Sequence, residues 1–214
     1  MIGAAGRSMP DQIADALREE ISRGEPPPGG ALRQEAIAAR FGVSRLPVRD
    51  ALRRLESEGI VQVHANRGAF VTSLKRQEVE ELFDLRRLLE VDLLRRSVPR
   101  LDASAMHEIE GAMLVAEHGV DGPRWSEFDD AFHAALYAPA ARPRTASMVA
   151  GLRTLLRRYR AGHAALPRRS ERWLADHRAL VAACRAGLTD EACSRLDDHL
   201  AAAAQVVAEA VDSR

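Results

Sequence analysis

Apolar residues recur three or four positions apart along most of this chain, the spacing that gathers them on one face of an α-helix. In "DQIADALREEISRGE", Ile13, Leu17 and Ile21 form such a stripe, which ends at Gly24 before "PPPGG", a run that cannot continue a helix. In "LRQEAIAARFGVSRLPVRDALRRLESEGI", Ala36, Ile37 and Phe41 predict the inner face of a second helix, with Gly42 as the turn. Val48, Leu52 and Leu55 predict the buried stripe of a third helix, stopped by Gly59. Ser44 is placed to cap that helix, and Pro47 is tolerated in its first turn, where the N–H groups have no intrahelical partner. The period then changes: "VQVHANRGAFVT" reads as strand, turn and strand, with Asn66, Arg67 and Gly68 at the tip.

Helix, helix, turn, helix, hairpin is the order of a winged helix-turn-helix. After "SLKRQ" the strand signals cease. Between Glu78 and Val211 about six helical stretches follow, split by Pro99, "HGVDGP", "APAARP", "ALPRRS" and "AGLTD". The expected fold class is therefore mainly α: a winged helix-turn-helix over 1–75, then an all-helical bundle over 76–214.

Composition narrows the picture. At 214 residues the chain can bury one large core or two small ones, and 46% hydrophobic with 29% charged residues are values of a soluble globular protein. The formal net charge is zero, so nucleic-acid binding must come from a local basic face. Lys75 is the only lysine among 31 basic residues, which lowers the weight of any single arginine. The opening "MIGAAGRSMPDQ" has no apolar run long enough for a signal peptide, and "LAAAAQVVAEAV" is too short and too broken by Gln205 and Glu209 to span a membrane. Cys184 and Cys193 are expected to be ordinary buried thiols, and the expected location is the cytoplasm.

Two constellations carry chemistry. With Val48, Leu52 and Leu55 facing inward, Arg45 and Arg49 stand four apart on the outer side of the third helix. Two guanidinium groups so spaced near a helix N-terminus suit guanine edges and phosphates in a major groove, and Ser44 with the first N–H groups suits a phosphate. Arg67 and Gly68, at the hairpin tip, can reach the neighbouring groove. The competing reading is a solvated face in an arginine-rich chain, and the helix-turn-helix order with a wing favours DNA.

The second constellation lies in the helical half. In "FDDAFHAALY", Asp129 and His133 are four apart beside Phe132 and Leu136, on a face that looks inward. His177 shares a stripe with Trp173, Leu174, Leu180, Val181 and Cys184, and His199 with Leu196, Ala203 and Val206. A single inward histidine is usually a hydrogen-bonded core residue. Three, with an aspartate, on helices that must pack together, point instead to a divalent metal: zinc first, then nickel or manganese. Such a ligand set leaves positions for water or a ligand. His64, His107, His118 and His163 lack this setting and are expected on the surface or in loops.

"FGVSRLPVRDALRRLESEGIVQVHANRGAFV" resembles the DNA-binding domain of the GntR family of bacterial transcription regulators, through its Gly-Val-Ser-Arg-x-Pro-Val-Arg core, wing glycine and closing Phe-Val. "EPPPGGALRQEAIA" resembles that family's proline-glycine turn and second helix, although some relatives have a basic residue where this chain has Glu35. The resemblance implies operator contacts by Arg33, Ser44, Arg45, Arg49, Arg67 and Gly68. "FDDAFHAAL", "ADHRALVAACRAG" and "LDDHLAAA" resemble signature segments of the effector-binding FCD domain of the family's FadR-type branch. Its metal-binding members use one aspartate and three histidines, which map onto Asp129, His133, His177 and His199. "LFDLRRLLEVDLLRR" is similar to the first helix of that domain, with Arg86 on a face with Leu82, Leu89 and Leu93. There Arg86 either anchors an acidic effector or pairs with Glu90 four residues on.

The function expected from the sequence is a cytoplasmic, homodimeric transcription regulator that binds operator DNA and senses a small organic acid at its metal. It is expected not to be an enzyme. The alternatives are a metal-dependent hydrolase, against which stand the absent general base and the idle DNA-binding half, and a regulator whose metal is purely structural.

Overall fold

The computed structural model describes residues 8–65, 67–120, 122, 124–161 and 167–212, the side chains of 158–161 and 167–170 excepted. They fall into two compact units, one ending at Leu74 and one starting at Lys75.

The first unit is built from α1 (Met9–Ser22), β1 (Ala31–Leu32), α2 (Gln34–Phe41), α3 (Arg45–Ser57), β2 (Val61–His64) and β3 (Gly68–Val71). Ser8 and Asp11 close a capping box at the start of α1. Ile13, Leu17 and Ile21 from α1 are buried with Val48, Leu52 and Leu55 from α3, as their spacing predicts. The three strands form an antiparallel sheet in the order β1-β3-β2, with Leu32 opposite Ala69 and His64 opposite Gly68.

Three local features differ from the sequence reading. Strand β1 was not expected: two residues are too few to show alternation, and they pair because Gly29 donates to Val71 O and Val71 to Gly30 O, both at 2.9 Å. The inner face of α2 is Ile37 and Ala38, while Ala36 is exposed and Phe41 half-buried. The Arg40 guanidinium covers the Phe41 ring, 4.7 Å from its centroid, which lets that ring lie at the edge. Ser44 does occupy the N-cap position of α3 with extended backbone, but its side chain makes no capping hydrogen bond.

Six α-helices make up the described part of the second unit: α4 (Arg76–Ser97), α5 (Ala103–His118), α6 (Trp125–Tyr137), α7 (Pro143–Ala161), α8 (Pro167–Arg185) and α9 (Thr189–Asp212). Short 3-10 turns at Val98–Arg100 and Ala138–Ala140 break the chain at Pro99 and before Pro143. Leu93 and Leu94 of α4, Phe132 and Leu136 of α6, Leu180 of α8 and Leu196 of α9 meet in one core. Cys184 and Cys193 are free and buried, and burial with Cys193 nearby pushes the Cys184 thiol up to about 12, which keeps it protonated and unreactive. No described helix is long and apolar enough to cross a membrane.

Leu196 is fully enclosed, so Leu196→Ala should destabilise the helical unit by about 2–5 kcal/mol, measured by denaturant unfolding. Gly42 closes α2 at φ +66° with open space where a Cβ would stand. Gly42→Ala should therefore cost only the left-handed backbone strain, about 1–2 kcal/mol; a change within error would show that the turn relaxes.

Candidate metal centre and nucleic-acid interface

Asp129, His133 and Tyr137 are four residues apart in turn and share the inner face of α6, whose apolar positions Phe132 and Leu136 are fully buried. His177 comes from the middle of α8 and His199 from the middle of α9. All three histidines are at most 4% exposed and Asp129 is 0% exposed. One ligand nitrogen from each histidine can be chosen so that all three lie within 4.8 Å of one another. The His177 and His199 rings are 4.8 Å apart between centroids, and His133 lies 5.3 and 5.5 Å from them. Asp129 Oδ1 joins the cluster, 3.5 Å from His177 Nε2 and 3.8 Å from His133 Nε2.

The surroundings are as specific as the cluster. Asp129 Oδ2 accepts from Arg153 Nη2 at 2.7 Å, and Trp173 Nε1 donates to Oδ1 at 3.3 Å. The Trp173 ring packs on His199 at 4.3 Å. Arg153, 3% exposed on α7, also donates to Asp130 at 2.6 Å and to Glu90 Oε2 at 3.3 Å. Glu90 in turn accepts from Arg86 Nε at 2.6 Å and from the Tyr137 hydroxyl at 2.5 Å, and that hydroxyl lies 3.1 Å from His133 Nδ1. Burial disfavours charge on Glu90, but Arg86 and Arg153 outweigh it and hold the carboxyl below its ordinary range. Burial, reinforced by the Arg153 charge, pushes His133 well below the usual histidine value, so its imidazole is neutral and its lone pair available.

Three imidazoles and a carboxylate, desolvated and converging, form a donor set that fits zinc, nickel or manganese. Arg153 leaves this fit intact, because ligating carboxylates are commonly hydrogen-bonded through their second oxygen.

Of the predicted set, the structure thus brings Asp129, His133, His177 and His199 together. Arg86 realises the second of its two sequence readings: it is 2% exposed, paired with Glu90 and stacked over Phe83 at 4.8 Å. His64, His107 and His118 are exposed, and His163 lies outside the described residues. Sequence reasoning missed Arg153, Asp130 and Tyr137. Arg153 sits between the buried Val149 and Leu156 at helical spacing, a signal as clear as that of the histidines but masked in an arginine-rich chain.

In the first unit, Arg33, Ser44, Arg45, Arg49, Arg67 and Gly68 are all exposed. Arg33 and Ser44 are the N-cap residues of α2 and α3, and Arg45 and Arg49 lie in the first turns of α3. Gly68 takes φ +96° where β3 leaves the turn, and Arg67 N donates to His64 O at 3.1 Å; Asn66, expected at the tip, lies outside the described residues. Arg45 pairs with Glu35 at 2.8 Å, with both side chains at least 70% exposed.

Residues 10–71 match the bacterial regulatory proteins of the gntR family, and residues 81–202 match the FCD domain. An HTH-type transcriptional regulator of Agrobacterium vitis is 31% identical over 134 residues, 59% of this chain and 78% of its own length. The HTH-type transcriptional repressor RspR of Escherichia coli is 28% identical over 125 residues, 57% of this chain and 55% of that one, so this match spans about half of the relative. Among solved structures, E. coli McbR/YncC has a TM-score of 0.81 at 20% identity, covering 95% of this chain and 98% of its own, a likeness of fold. A GntR-family regulator from Pseudomonas syringae is 31% identical, with a TM-score of 0.59 over 96% of this chain and 86% of that one. The chain belongs to the GntR family, a bacterial transcriptional regulator and not an enzyme, in which a helix-turn-helix domain is followed by an FCD domain.

Proposed function

We propose that this regulator binds operator DNA as a homodimer and responds to a small organic acid sensed at a divalent metal, in the cytoplasm. Residues 1–75 read the DNA, and residues 76–214 hold metal and effector. The observation that most supports the sensing half is the convergence of three buried histidines and Asp129 inside the helical unit.

On the DNA side, Arg45 and Arg49 supply base or phosphate contacts, Arg33 and the wing residues Arg67 and Gly68 approach the backbone, and Ser44 is available to a phosphate because it spends no bond on capping. Arg45 exchanges Glu35 for DNA at small cost, since a pair this exposed contributes little. On the sensing side, Asp129, His133, His177 and His199 would hold the ion, zinc first and nickel or manganese next. A divalent ion held there supplies exchangeable positions for carboxylate or hydroxyl oxygens of an acid. Arg86 holds Glu90 through Nε in this reading, and an acid carboxylate would meet the other nitrogens of the same guanidinium. The acid acts on transcription only through unequal affinity for the two arrangements of the DNA-reading heads.

Arg45→Ala and Arg49→Ala should each cost about 1–3 kcal/mol of specific operator binding, measured by titration on an inverted-repeat site. A double variant that footprints like wild type would show that α3 is not the reading helix.

Elemental analysis should find one divalent ion per chain, depleted in His177→Ala and His199→Ala; full loading of both variants would sink the ligand set. Because His133 takes up its proton less readily folded than unfolded, metal-free protein should keep its stability above a pH of about 6.5 and lose it as the pH falls further. A melting temperature flat from neutral pH down to about 5 would contradict this.

Metal and acid should bind cooperatively, with a coupling of about 1–3 kcal/mol between acid and operator that vanishes in folded His133→Ala protein. Titration of dicarboxylates and hydroxy acids against loaded and chelated protein, with operator retention as the readout, tests this. A full response without metal would leave the ion a purely structural role.

A further inference from the structure

Glu90 is 0% exposed on α4, and neither DNA reading nor metal ligation uses it directly. Its oxygens are nevertheless shared among three donors from three helices. Oε1 accepts from Arg86 at 2.6 Å, while Oε2 accepts from the Tyr137 hydroxyl at 2.5 Å and from Arg153 Nη1 at 3.3 Å. Both partners of Oε2 continue to the α6 cluster: the Tyr137 oxygen lies 3.1 Å from His133 Nδ1, and Arg153 Nη2 donates to Asp129 Oδ2 at 2.7 Å.

Counting hydrogens sets the direction of the chain. A phenol ordinarily keeps its hydrogen at neutral pH, and the Tyr137 hydroxyl stands 2.5 Å from a carboxylate oxygen that can take it as a hydrogen bond. Ionised Glu90 can only accept, so that one hydrogen points to Oε2. What Tyr137 offers His133 is then a lone pair, and the hydrogen between them must come from Nδ1. A neutral imidazole has a single N–H, so Nε2, the nitrogen on the Asp129 side, is left as a base.

We infer that Glu90 is a positioning residue of the candidate metal centre: through Tyr137 it keeps the His133 hydrogen on Nδ1, and through Arg153 it turns Asp129 Oδ1 toward the histidines. One carboxylate on the first helix of the FCD domain thereby orients two of the four ligands on α6. The inference rests on the metal reading of the cluster, except for the tautomer, which depends on the chain alone. Ring packing would be served equally by phenylalanine at 137; the hydroxyl matters only for the hydrogen bonds.

The test is Tyr137→Phe in the full chain, with zinc as the probe. Competition with a chromophoric chelator should show a loss of zinc affinity of about 10–100-fold, the usual effect of removing such a partner, with helicity unchanged. Nitrogen NMR of the imidazoles in metal-free protein near neutral pH should show His133 as the Nδ1–H form in wild type and a mixture in the variant, a change that altered packing alone would not produce. Wild-type zinc affinity in a folded variant overturns the inference, and so does an Nε2–H form of His133 in wild type, a result readable even where the variant does not fold. Wild-type protein that takes up no zinc while showing the Nδ1–H form would refute the metal reading and leave the Glu90–Tyr137–His133 chain standing.

Discussion

Ionised side chains inside a helical bundle cost several kcal/mol each in lost hydration, about 3–5 kcal/mol more if one member of a pair is removed. That cost organises the FCD unit. Arg86 and Glu90 on α4, Asp129 and Asp130 on α6, and Arg153 and Arg157 on α7 compensate one another through bonds of 2.6 to 3.3 Å. No one of these helices carries a neutral set arranged to satisfy itself: α4 has the Arg86–Glu90 pair, but the second oxygen of Glu90 needs α6 and α7, and Asp129 needs α7. The helices must therefore pack in the one arrangement that closes the network, and apolar contacts among Leu93, Phe132 and Leu196 fill the space around it. His133 meets this network at the Tyr137 hydroxyl, and His177 lies beside Asp129.

The DNA-reading unit follows the opposite logic. Its core is apolar, from Ile13 and Leu17 through Val48, Leu52 and Leu55, and its charges stay in water. Exposed arginines of α3 are held by little, Arg45 by one solvated pair with Glu35, so they can be redirected to a phosphate or a base edge. The two behaviours differ by position: Arg86 and Arg153 pair out of reach of water in the helical unit, whereas Arg45 with Glu35 and Arg54 with Asp11 pair at the surface of the helix-turn-helix.

Much of this was legible in the sequence. The stripes of α1 and α3, the wing at Val61–Val71, the change to an all-helical second half and the inward phase of the four ligand candidates all follow from period, because apolar spacing reports which side of an element faces inward. An i, i+4 pair such as Asp129 and His133 shares a face wherever the helix packs. The GntR and FCD resemblance rested on contiguous motifs and needed no folding at all.

What the tertiary structure decided is who stands next to whom. Period assigns Arg86, Arg153 and Tyr137 to inner faces, yet gives no means to tell that Glu90 joins the first two and the hydroxyl of the third. The strand β1 exists only because Val71 passes beside Gly29 and Gly30, a pairing across about forty residues of chain. Helical phase is a local property carried by every few residues. Partner choice among buried charges depends on helix crossings and turn geometry summed over the whole unit, and it could be seen only once α4, α6 and α7 were side by side.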